Sequence, residues 1–205
     1  MREEFDWMKS KIIFATKNLG KVREVSHIIG DKDFELLSLN DFNNVGEVIE
    51  DGSTFEENAM KKALYVYDMY RIPILADDSG LVVEQLEGEP GVLSARYAEE
   101  NATDEENNKK LISKLLLFPQ PHKAQFVCSA IFYDGEDIIK AEDEVIGQVI
   151  HEPRGTNGFG YDPLFIPDGY HQTTAELNLD EKNKISHRAK AFRRLLKLIK
   201  ERGQK

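Results

Sequence analysis

The order of apolar and polar residues along the chain predicts strands that alternate with helices. The apolar run KIIFAT, residues 11–16, predicts a buried strand, and a second strand is expected around 34–37. Between them, Asn18 can cap a helix that reaches about Gly30, because its short side chain can accept from the free N–H groups of a first turn. The start of the chain therefore predicts a β-α-β unit.

The same alternation continues along the rest of the chain. Two Thr-x-x-Glu patterns, which begin at Thr54 and Thr103, match the capping box that opens helices. The second of these helices should turn four apolar residues inward, namely Leu111, Ile112, Leu115 and Leu116. Short strands are expected at 74–76 and 81–83, long strands at 124–133 and 138–150, and a last helix over about 186–200. This mixture predicts an α/β fold with a mixed sheet.

The composition fits one globular domain and argues against some classes of partner. The 205 residues carry a formal net charge of −10, which disfavours a non-specific nucleic-acid binder because such proteins need a basic face. No apolar stretch approaches the ~20 residues of a membrane span, and the charged opening MREEFDWMKS lacks the apolar block of a signal peptide. Cys128, the only cysteine, cannot form an internal disulfide. We expect a cytoplasmic protein with one domain over 11–205 and an extension over 1–10.

Four polar segments are hard to explain by packing alone, and the first is TKNLGK, residues 16–21. It joins a strand to a helix, where free backbone N–H groups can bind an anion. Lys21 would place a cation in the first helical turn, which opposes the helix dipole by ~0.3–1 kcal/mol at exposed sites. A bound phosphate would resolve this conflict, whereas a solvated surface lysine is the alternative.

The second segment is ADDSG, directly after the strand predicted at 74–76. Ligands of open α/β sheets gather at the carboxyl ends of strands, and the adjacent Asp77 and Asp78 could hold Mg²⁺ together with substrate phosphates. The alternative is that these residues form a simple turn. Glu50 lies in another acidic turn, and it could complete the metal shell or be an ordinary loop residue.

The third and fourth segments are GTNGFGYDP, residues 155–163, and EKNKISHRAKA, residues 181–191. Glycines in the third segment let the backbone approach a ligand, and Phe159 and Tyr161 offer faces for a base, although Tyr161 could instead belong to the core. In the fourth, cations crowd the predicted start of the last helix, which is the unfavourable end for Lys182, Lys184, His187 and Arg188. A polyanionic ligand would explain these cations, and a solvated charge run is the alternative.

Together these segments resemble the inosine triphosphatase family, the non-canonical purine nucleoside triphosphate pyrophosphatases that remove ITP, dITP and XTP. The matching stretches occur in family order from about Ile12 to Leu196, and they are ATKNLGK, FEENAMKKA, ADDSGLVVEQLEGEPGVLSARYA, GTNGFGYDPLF and EKNKISHRAKA. The resemblance implies an elongated α/β fold with a mixed sheet flanked by helices, two lobes around a central substrate cleft, and usually a homodimer. It also implies Mg²⁺-dependent release of pyrophosphate from deaminated purine nucleotides.

The resemblance further implies roles for individual residues. Asp78 is expected to be catalytic and to bind the metal together with Glu50. Lys62 is expected to reach the phosphates, and Ser79 to lie beside Asp78 in the binding site. Further substrate contacts are expected from Thr16, Lys17, Asn18, Leu19, Gly20, Lys21, Phe159, Gly160, Tyr161, Asp162, Lys182, His187 and Arg188.

One departure from the family pattern is visible, and several functions remain open. The family commonly has a glycine where this chain has Asn157, and asparagine is expected to tolerate a left-handed backbone there. Asp78 or a neighbouring carboxylate should deprotonate a water for attack at the α-phosphorus, while His187 and Arg188 should donate to a 6-keto base. The open alternatives are a related pyrophosphatase with a different base pocket, a nucleotide sensor without turnover, and a general phosphatase that releases orthophosphate.

Overall fold

The computed structural model describes residues 11–30, 34–43, 45–46 and 48–203, so the predicted extension over 1–10 lies outside the described residues. The described chain forms two compact units, and each unit is assembled from separate segments. The first unit draws on Met1–Asp78, Ser129–Glu142 and Arg188–Lys205. The second unit draws on Ser79–Cys128 and Asp143–His187.

The strands belong to a six-stranded sheet in the order β2-β1-β3-β4-β5-β6. β1 pairs in parallel with β2 and β3, whereas β5 and β6 are antiparallel, so the sheet is mixed as predicted. This arrangement confirms the α/β class. The strands are β1 Lys11–Phe14, β2 Glu35–Ser38, β3 Ile74–Val83, β4 His122–Tyr133, β5 Ile138–Val149 and β6 Phe165–Pro167.

Five α-helices accompany these strands in the described part of the chain. They are α1 Leu19–Ile29, α2 Phe55–Tyr70, α3 Asp104–Leu115, α4 Leu179–Ile185 and α5 His187–Arg202. Short 3₁₀ helices span Leu39–Asp41, Glu84–Leu86, Gly91–Arg96 and Asp162–Leu164. None of the described helices is both long and apolar enough to cross a membrane.

The core of the first unit lies where α2 packs on strands. Ala59, Ala63 and Val66, which lie three or four residues apart on α2, are all 0% exposed and contact Ile13 and Ile74 of the sheet. The helix begins where predicted, because the Thr54 hydroxyl accepts from the Glu57 N–H. Phe192 of α5 adds an edge-on aromatic contact to Phe14, with ring centroids 5.5 Å apart.

In the core of the second unit, α3 packs with residues of β3, β4, β5 and β6. Leu111 and Leu115 of α3 are fully buried with Leu81, Phe126 and Phe165. Both halves of the capping box predicted at Thr103 are present, which fixes the start of this helix. Leu116, which was predicted to point inward, is 64% exposed because the helix ends at Leu115 and the chain turns away from the core.

Two segments differ from their predicted secondary structure. The predicted strands at 74–76 and 81–83 are one strand, β3, so Asp77 and Asp78 lie within a strand rather than in a turn after it. The last helix is preceded by a separate helix, α4, because the backbone of Ser186 is extended (φ −63°, ψ 148°) and breaks the helical path. Both differences change the environment of predicted site residues.

Candidate functional site

The predicted site residues fall into two groups, one in each unit. The first unit contains the loop 16–21, Glu50, Lys62, Asp78 and Arg188. The second unit contains Ser79, the loop 159–162, Lys182 and His187.

The loop 16–21 ends β1 and forms the N-terminal cap of α1. The Asn18 side chain accepts from the Lys21 N–H at 3.0 Å, and the Asn18 N–H donates to the Thr16 hydroxyl at 3.1 Å. These bonds fix a tight loop whose Leu19 side chain is 67% exposed. The predicted cap at Asn18 is confirmed, and the polar residues at this helix end face no apolar core.

Lys21 reaches a buried carboxylate of β3. Its Nζ lies 3.1 Å from Asp77 Oδ2, and the same oxygen lies 3.1 Å from Arg188 Nε. Arg188 Nη1 in turn donates to Glu24 Oε2 of α1 at 2.5 Å. The chain Lys21–Asp77–Arg188–Glu24 alternates in charge, so these buried groups compensate one another.

The electrostatics of Asp77 follow from these neighbours. Burial by itself would raise the pKa of Asp77, but Lys21 and Arg188 hold it far below its ordinary value. Asp77 is therefore a permanent anion that accounts for the cation in the first turn of α1. Lys21 is partly compensated before any ligand arrives, which the sequence could not indicate.

A second cluster surrounds Lys62 of α2. Its Nζ donates to Glu50 Oε2 at 3.0 Å and lies 3.6 Å from Asp78 Oδ1. Burial alone would lower the pKa of Lys62, but the carboxylates of Asp78 and Glu50 raise it above its ordinary value. Lys62 therefore remains charged between two carboxylates.

Asp78 differs from its neighbour Asp77 in the direction of its pKa shift. Burial raises the pKa of Asp78, and the charge of Glu50 adds to this shift, while Lys62 opposes it. A carboxylate with a raised pKa is a better proton acceptor than an ordinary aspartate. Two adjacent aspartates of one strand thus have pKa shifts in opposite directions, because cations stabilise the anion of Asp77 while burial disfavours the anion of Asp78.

The donor set around Lys62 fits a hard divalent cation. Glu50 and Asp78 present oxygen atoms to one ammonium group, so both carboxylates already face a common cation. No group of three or more His, Cys, Asp or Glu side chains that could hold a metal occurs among the described residues. Mg²⁺ is commonly bound by two carboxylates together with phosphate oxygens of a substrate.

In the second unit, Asp162 organises the loop 159–162. Its Oδ2 accepts from the Phe159 N–H at 2.9 Å, and its Oδ1 accepts from the Thr174 hydroxyl at 2.8 Å. Tyr161 belongs to the core, as the alternative interpretation held, because it is 3% exposed and its hydroxyl donates to the Ser94 carbonyl. Phe159 is half-buried, so its ring is the aromatic face of this loop that remains accessible.

Helix α3 fixes the middle of the same loop. Asp104 Oδ2 accepts from the Gly160 N–H at 2.6 Å, and Asn108 Nδ2 donates to the Gly160 carbonyl at 3.1 Å. Neither residue was singled out from the sequence, because both lie on an ordinary amphipathic helix and Gly160 is 56 and 52 positions away. The backbone of Gly160 is therefore held at both its N–H and its carbonyl group by side chains of α3.

Lys182 lies beside this loop, and His187 belongs to the same unit. Lys182 Nζ donates to Asp162 Oδ2 and stands 5.1 Å from the centroid of the Phe159 ring. His187 is 5% exposed and stacks on Phe126, with ring centroids 4.9 Å apart and an interplanar angle of 11°. The second unit thus has an ammonium group beside a half-buried aromatic ring, which suits a flat ligand with acceptor groups, and it also contains a buried imidazole.

Two sequence-based arguments about these segments were wrong. Lys182 and Lys184 do not oppose a helix dipole, because they lie in the last turn of α4, the favourable end for cations. Asn157 does not use a left-handed backbone, whereas Gly155, Gly158 and Gly160 all do. Asn157 fits because its N–H donates to the Ala175 carbonyl and its Nδ2 to the Leu177 carbonyl.

The chain is similar in sequence to proteins of one known family over most of its length. The sequence model of the Ham1 family matches residues 12–198. A dITP/XTP pyrophosphatase of Geobacter sulfurreducens is 49% identical over 185 residues, which are 89% of this chain and 93% of that protein. A dITP/XTP pyrophosphatase of Aquifex aeolicus is 46% identical over 199 residues, which are 93% of this chain and 96% of that protein.

Solved structures give the same result. The HAM1 protein of Coxiella burnetii is 36% identical with a TM-score of 0.84, and the alignment covers 94% of this chain and 99% of that protein. The resemblance seen in the five sequence segments is thereby confirmed over nearly the whole described chain. The chain belongs to the Ham1 family.

Proposed function

We propose that this chain hydrolyses the non-canonical purine nucleoside triphosphates ITP, dITP and XTP to the monophosphate and pyrophosphate. The observation that carries the proposal is the cluster in which Glu50 and Asp78 face the Lys62 ammonium group. The names of the Geobacter and Aquifex relatives, both dITP/XTP pyrophosphatases, supply the substrate class. The activity would remove deaminated purines from the nucleotide pool.

The first unit supplies the groups for the triphosphate. Lys21, Lys62 and the backbone N–H groups of the loop 16–21 bind phosphate oxygens, and Glu50 and Asp78 would hold Mg²⁺. When bound, Mg²⁺ would neutralise charge that develops on the phosphate oxygens. Asp78 takes a proton from the attacking water, whose oxygen forms a bond to the α-phosphorus as the bond to the pyrophosphate oxygen breaks. Lys21 and Lys62 balance the charge of the leaving pyrophosphate.

The second unit supplies the groups for the base. The Phe159 ring stacks on the purine, and Lys182 and His187 donate to its 6-keto group. Adenine carries an amino donor at that position, so it could not accept from these groups and would bind less well. Arg188 was also predicted to read the base, but its Nε and Nη1 atoms contact Asp77 and Glu24. His187→Ala is therefore a cleaner test of base selection than Arg188→Ala, which would also disturb Asp77.

The further biological assignments are part of the same proposal. We expect a homodimer that acts in the cytoplasm, where the nucleotide pool lies. The buried free thiol of Cys128 is compatible with a reducing compartment. Light scattering on the purified protein tests the dimer.

The test is a comparison of substrates and products with the purified protein. ITP, XTP, ATP and GTP are incubated separately with Mg²⁺, and pyrophosphate and orthophosphate are measured in parallel. Pyrophosphate should be released from ITP and XTP far faster than from ATP or GTP. Orthophosphate as the first product, or equal rates on all four nucleotides, would contradict the proposal.

A variant tests the catalytic assignment. Asp78→Asn removes the proton acceptor while it keeps the size of the side chain, so turnover of ITP should fall by about 10²–10⁴-fold. Asp77→Asn is the informative comparison, because Asp77 is assigned to holding Lys21 rather than to proton transfer. Near-normal turnover by Asp78→Asn would remove Asp78 from the catalytic role.

A further inference from the structure

Asn58 connects the two carboxylates that face Lys62. It lies on α2, is 0% exposed, and its Nδ2 donates to Asp78 Oδ2 at 3.0 Å. Its Oδ1 accepts from the Gly52 N–H at 2.8 Å. Gly52 belongs to the same acidic turn as Glu50, which precedes it by two residues in the sequence. One side chain thus bonds both to Asp78 and to the turn that carries Glu50.

The orientation of the Asn58 amide follows from its partners. A backbone N–H can only donate, so the oxygen of the amide must face Gly52, and the NH₂ group is left to face Asp78. The fit around the turn is tight, because a Cβ atom at Gly52 would lie 2.6 Å from Asn58 Oδ1. The turn therefore contacts the amide group directly. A rotation of the Asn58 side chain would break its hydrogen bonds to Gly52 and Asp78, so that the turn would move and Asp78 would be released.

We propose that Asn58 is a positioning residue that holds Asp78 and the Glu50 turn in place so that both carboxylates can bind one divalent cation. This inference rests on the proposed function, since it concerns the metal of the same reaction. Asn58 touches no substrate atom in this assignment and acts through Asp78, to which it donates. It acts by fixing the oxygen ligands through hydrogen bonds, and loss of such outer partners typically costs 10–100-fold in metal affinity or activity.

The second unit offers a matched control in Asn107. It lies four residues after the cap Thr103, as Asn58 lies four residues after the cap Thr54. Asn107 is 2% exposed, its Oδ1 accepts from the Ala98 N–H, and its Nδ2 donates to the Ala95 carbonyl. The two asparagines differ in that Asn107 donates to a backbone carbonyl and Asn58 donates to a carboxylate. A purely structural buried amide should behave like Asn107.

The experiment measures metal affinity without nucleotide and turnover with it. Mn²⁺, which takes oxygen ligands as Mg²⁺ does, is titrated into the wild-type chain, Asn58→Ala, Asn58→Leu and Asn107→Ala, and free Mn²⁺ is followed by electron paramagnetic resonance. We expect the Kd for Mn²⁺ to rise 10–100-fold in both Asn58 variants and to stay within threefold in Asn107→Ala. With ITP and Mg²⁺, kcat should fall 10–100-fold in the Asn58 variants while KM stays within threefold.

Several outcomes would overturn the inference. They are a Kd for Mn²⁺ within threefold of wild type in the Asn58 variants, an equal loss of affinity in Asn107→Ala, and no Mn²⁺ binding by the wild-type chain. Asn58→Leu fills the volume that Asn58→Ala leaves empty, and if both unfold while Asn107→Ala stays folded, Asn58 is only structural. If the wild-type chain binds Mn²⁺ but releases no pyrophosphate from ITP, the proposed function fails while the affinity comparison still decides the role of Asn58.

Discussion

Buried charges of the first unit are arranged so that each contacts an opposite charge. Arg188 is 2% exposed and contacts both Asp77 and Glu24, and Asp77 also contacts Lys21. Removing one member of such a group leaves an uncompensated buried charge, which typically costs about 3–5 kcal/mol. Variants of Arg188 will therefore lose stability as well as any role in binding. Single substitutions in this group need a measurement of folding before their kinetics can be interpreted.

A histidine pair in the second unit makes a pH dependence testable. The Gln85 amide donates to the Pro119 carbonyl, so its oxygen faces His122 Nδ1 at 2.9 Å and that nitrogen must donate. His122 Nε2 then accepts from His151 Nε2–H at 2.7 Å. Burial lowers the pKa of His122 from 6.5, and the charge of His151 lowers it further. Protonation of His122 is thus disfavoured in the folded state.

The first prediction follows from this lowered pKa. The unfolded chain takes up the proton near pH 6.5 and the folded chain only at lower pH, so stability is fully present above pH 6.5 and is lost as pH falls below it. His122→Gln removes this titration. The free energy of unfolding should therefore fall more between pH 7.5 and 5.5 in the wild-type chain than in His122→Gln. Equal losses in the two proteins would contradict the prediction.

The second prediction concerns Gly158 in the predicted base pocket. Its φ is +76°, and a Cβ atom there would lie 2.0 Å from Asp162 Oδ2. Gly158→Ala must therefore displace the carboxylate that holds the loop, in addition to the cost of about 1–2 kcal/mol for a left-handed alanine. Gly160→Ala is the matched control, since its φ is +61° and a Cβ would meet no atom within 4 Å. Urea unfolding should show a larger loss for Gly158→Ala than for Gly160→Ala.

At the scale of secondary-structure elements, the features that could be predicted from the sequence were those with local causes. The helix starts after Asn18, Thr54 and Thr103 were predictable because a cap is a contact between residues three or fewer positions apart. The continuity of β3 through Asp77 and Asp78 was not, because Asp, Ser and Gly are poor strand formers and long-range pairing overrides that preference. Helix α4 also went undetected, although the start of the last helix near Ser186 was predicted correctly.

The same distinction applies to the candidate site. The predicted residues were found through short segments whose polar composition is unusual for their positions. Asn58 and Glu24 were missed, because each lies on a helix face that has no local signal, and their partners are 20 and 164 positions away in the sequence. Pairings of that kind depend on how the chain folds back and cannot be deduced from spacing.

The third prediction concerns the capping box of α3. Thr103 accepts from the Glu106 N–H and its own N–H donates to Glu106 Oε2. Thr103→Ala should lower the free energy of unfolding by about 1 kcal/mol and loosen the first turn. Because Asp104 in that turn accepts from the Gly160 N–H, hydrogen exchange at Gly160 should become faster. Ser113→Ala, which removes an exposed hydroxyl from the same helix, should change stability by less than about 0.5 kcal/mol.

At the scale of the whole molecule, each unit has its own core and is stabilised by segments distant in sequence. In the first unit, α5 contributes Phe192, Leu195 and Ile199, all of which are at most 1% exposed. The C-terminal turn of α5 also reaches the β4–β5 loop, where Arg202 contacts Asp134 and Asp137. The first unit therefore depends on its last segment for apolar burial as well as for Arg188.

The fourth prediction tests this dependence. Phe192 is 0% exposed and packs edge-on against Phe14, so Phe192→Ala should cost about 3–5 kcal/mol. That loss is a large fraction of the 5–15 kcal/mol typical of a folded domain, since stability is a small difference between large terms. Leu117→Ala is the control, because Leu117 is 81% exposed and its loss should stay within about 0.5 kcal/mol. Comparable urea midpoints for the two variants would contradict the prediction.

The segmented composition of the first unit has a consequence for biosynthesis. A ribosome makes every residue of the second unit, through His187, before it makes Arg188 and the rest of α5. Until then, Glu24 and Asp77 have no guanidinium group between them, and the core around Phe14 lacks Phe192. The second unit is therefore synthesised in full before the first unit, which is completed only by the last segment of the chain. A nascent chain that stalls before residue 188 would carry the predicted base-binding loop but no finished site for the triphosphate.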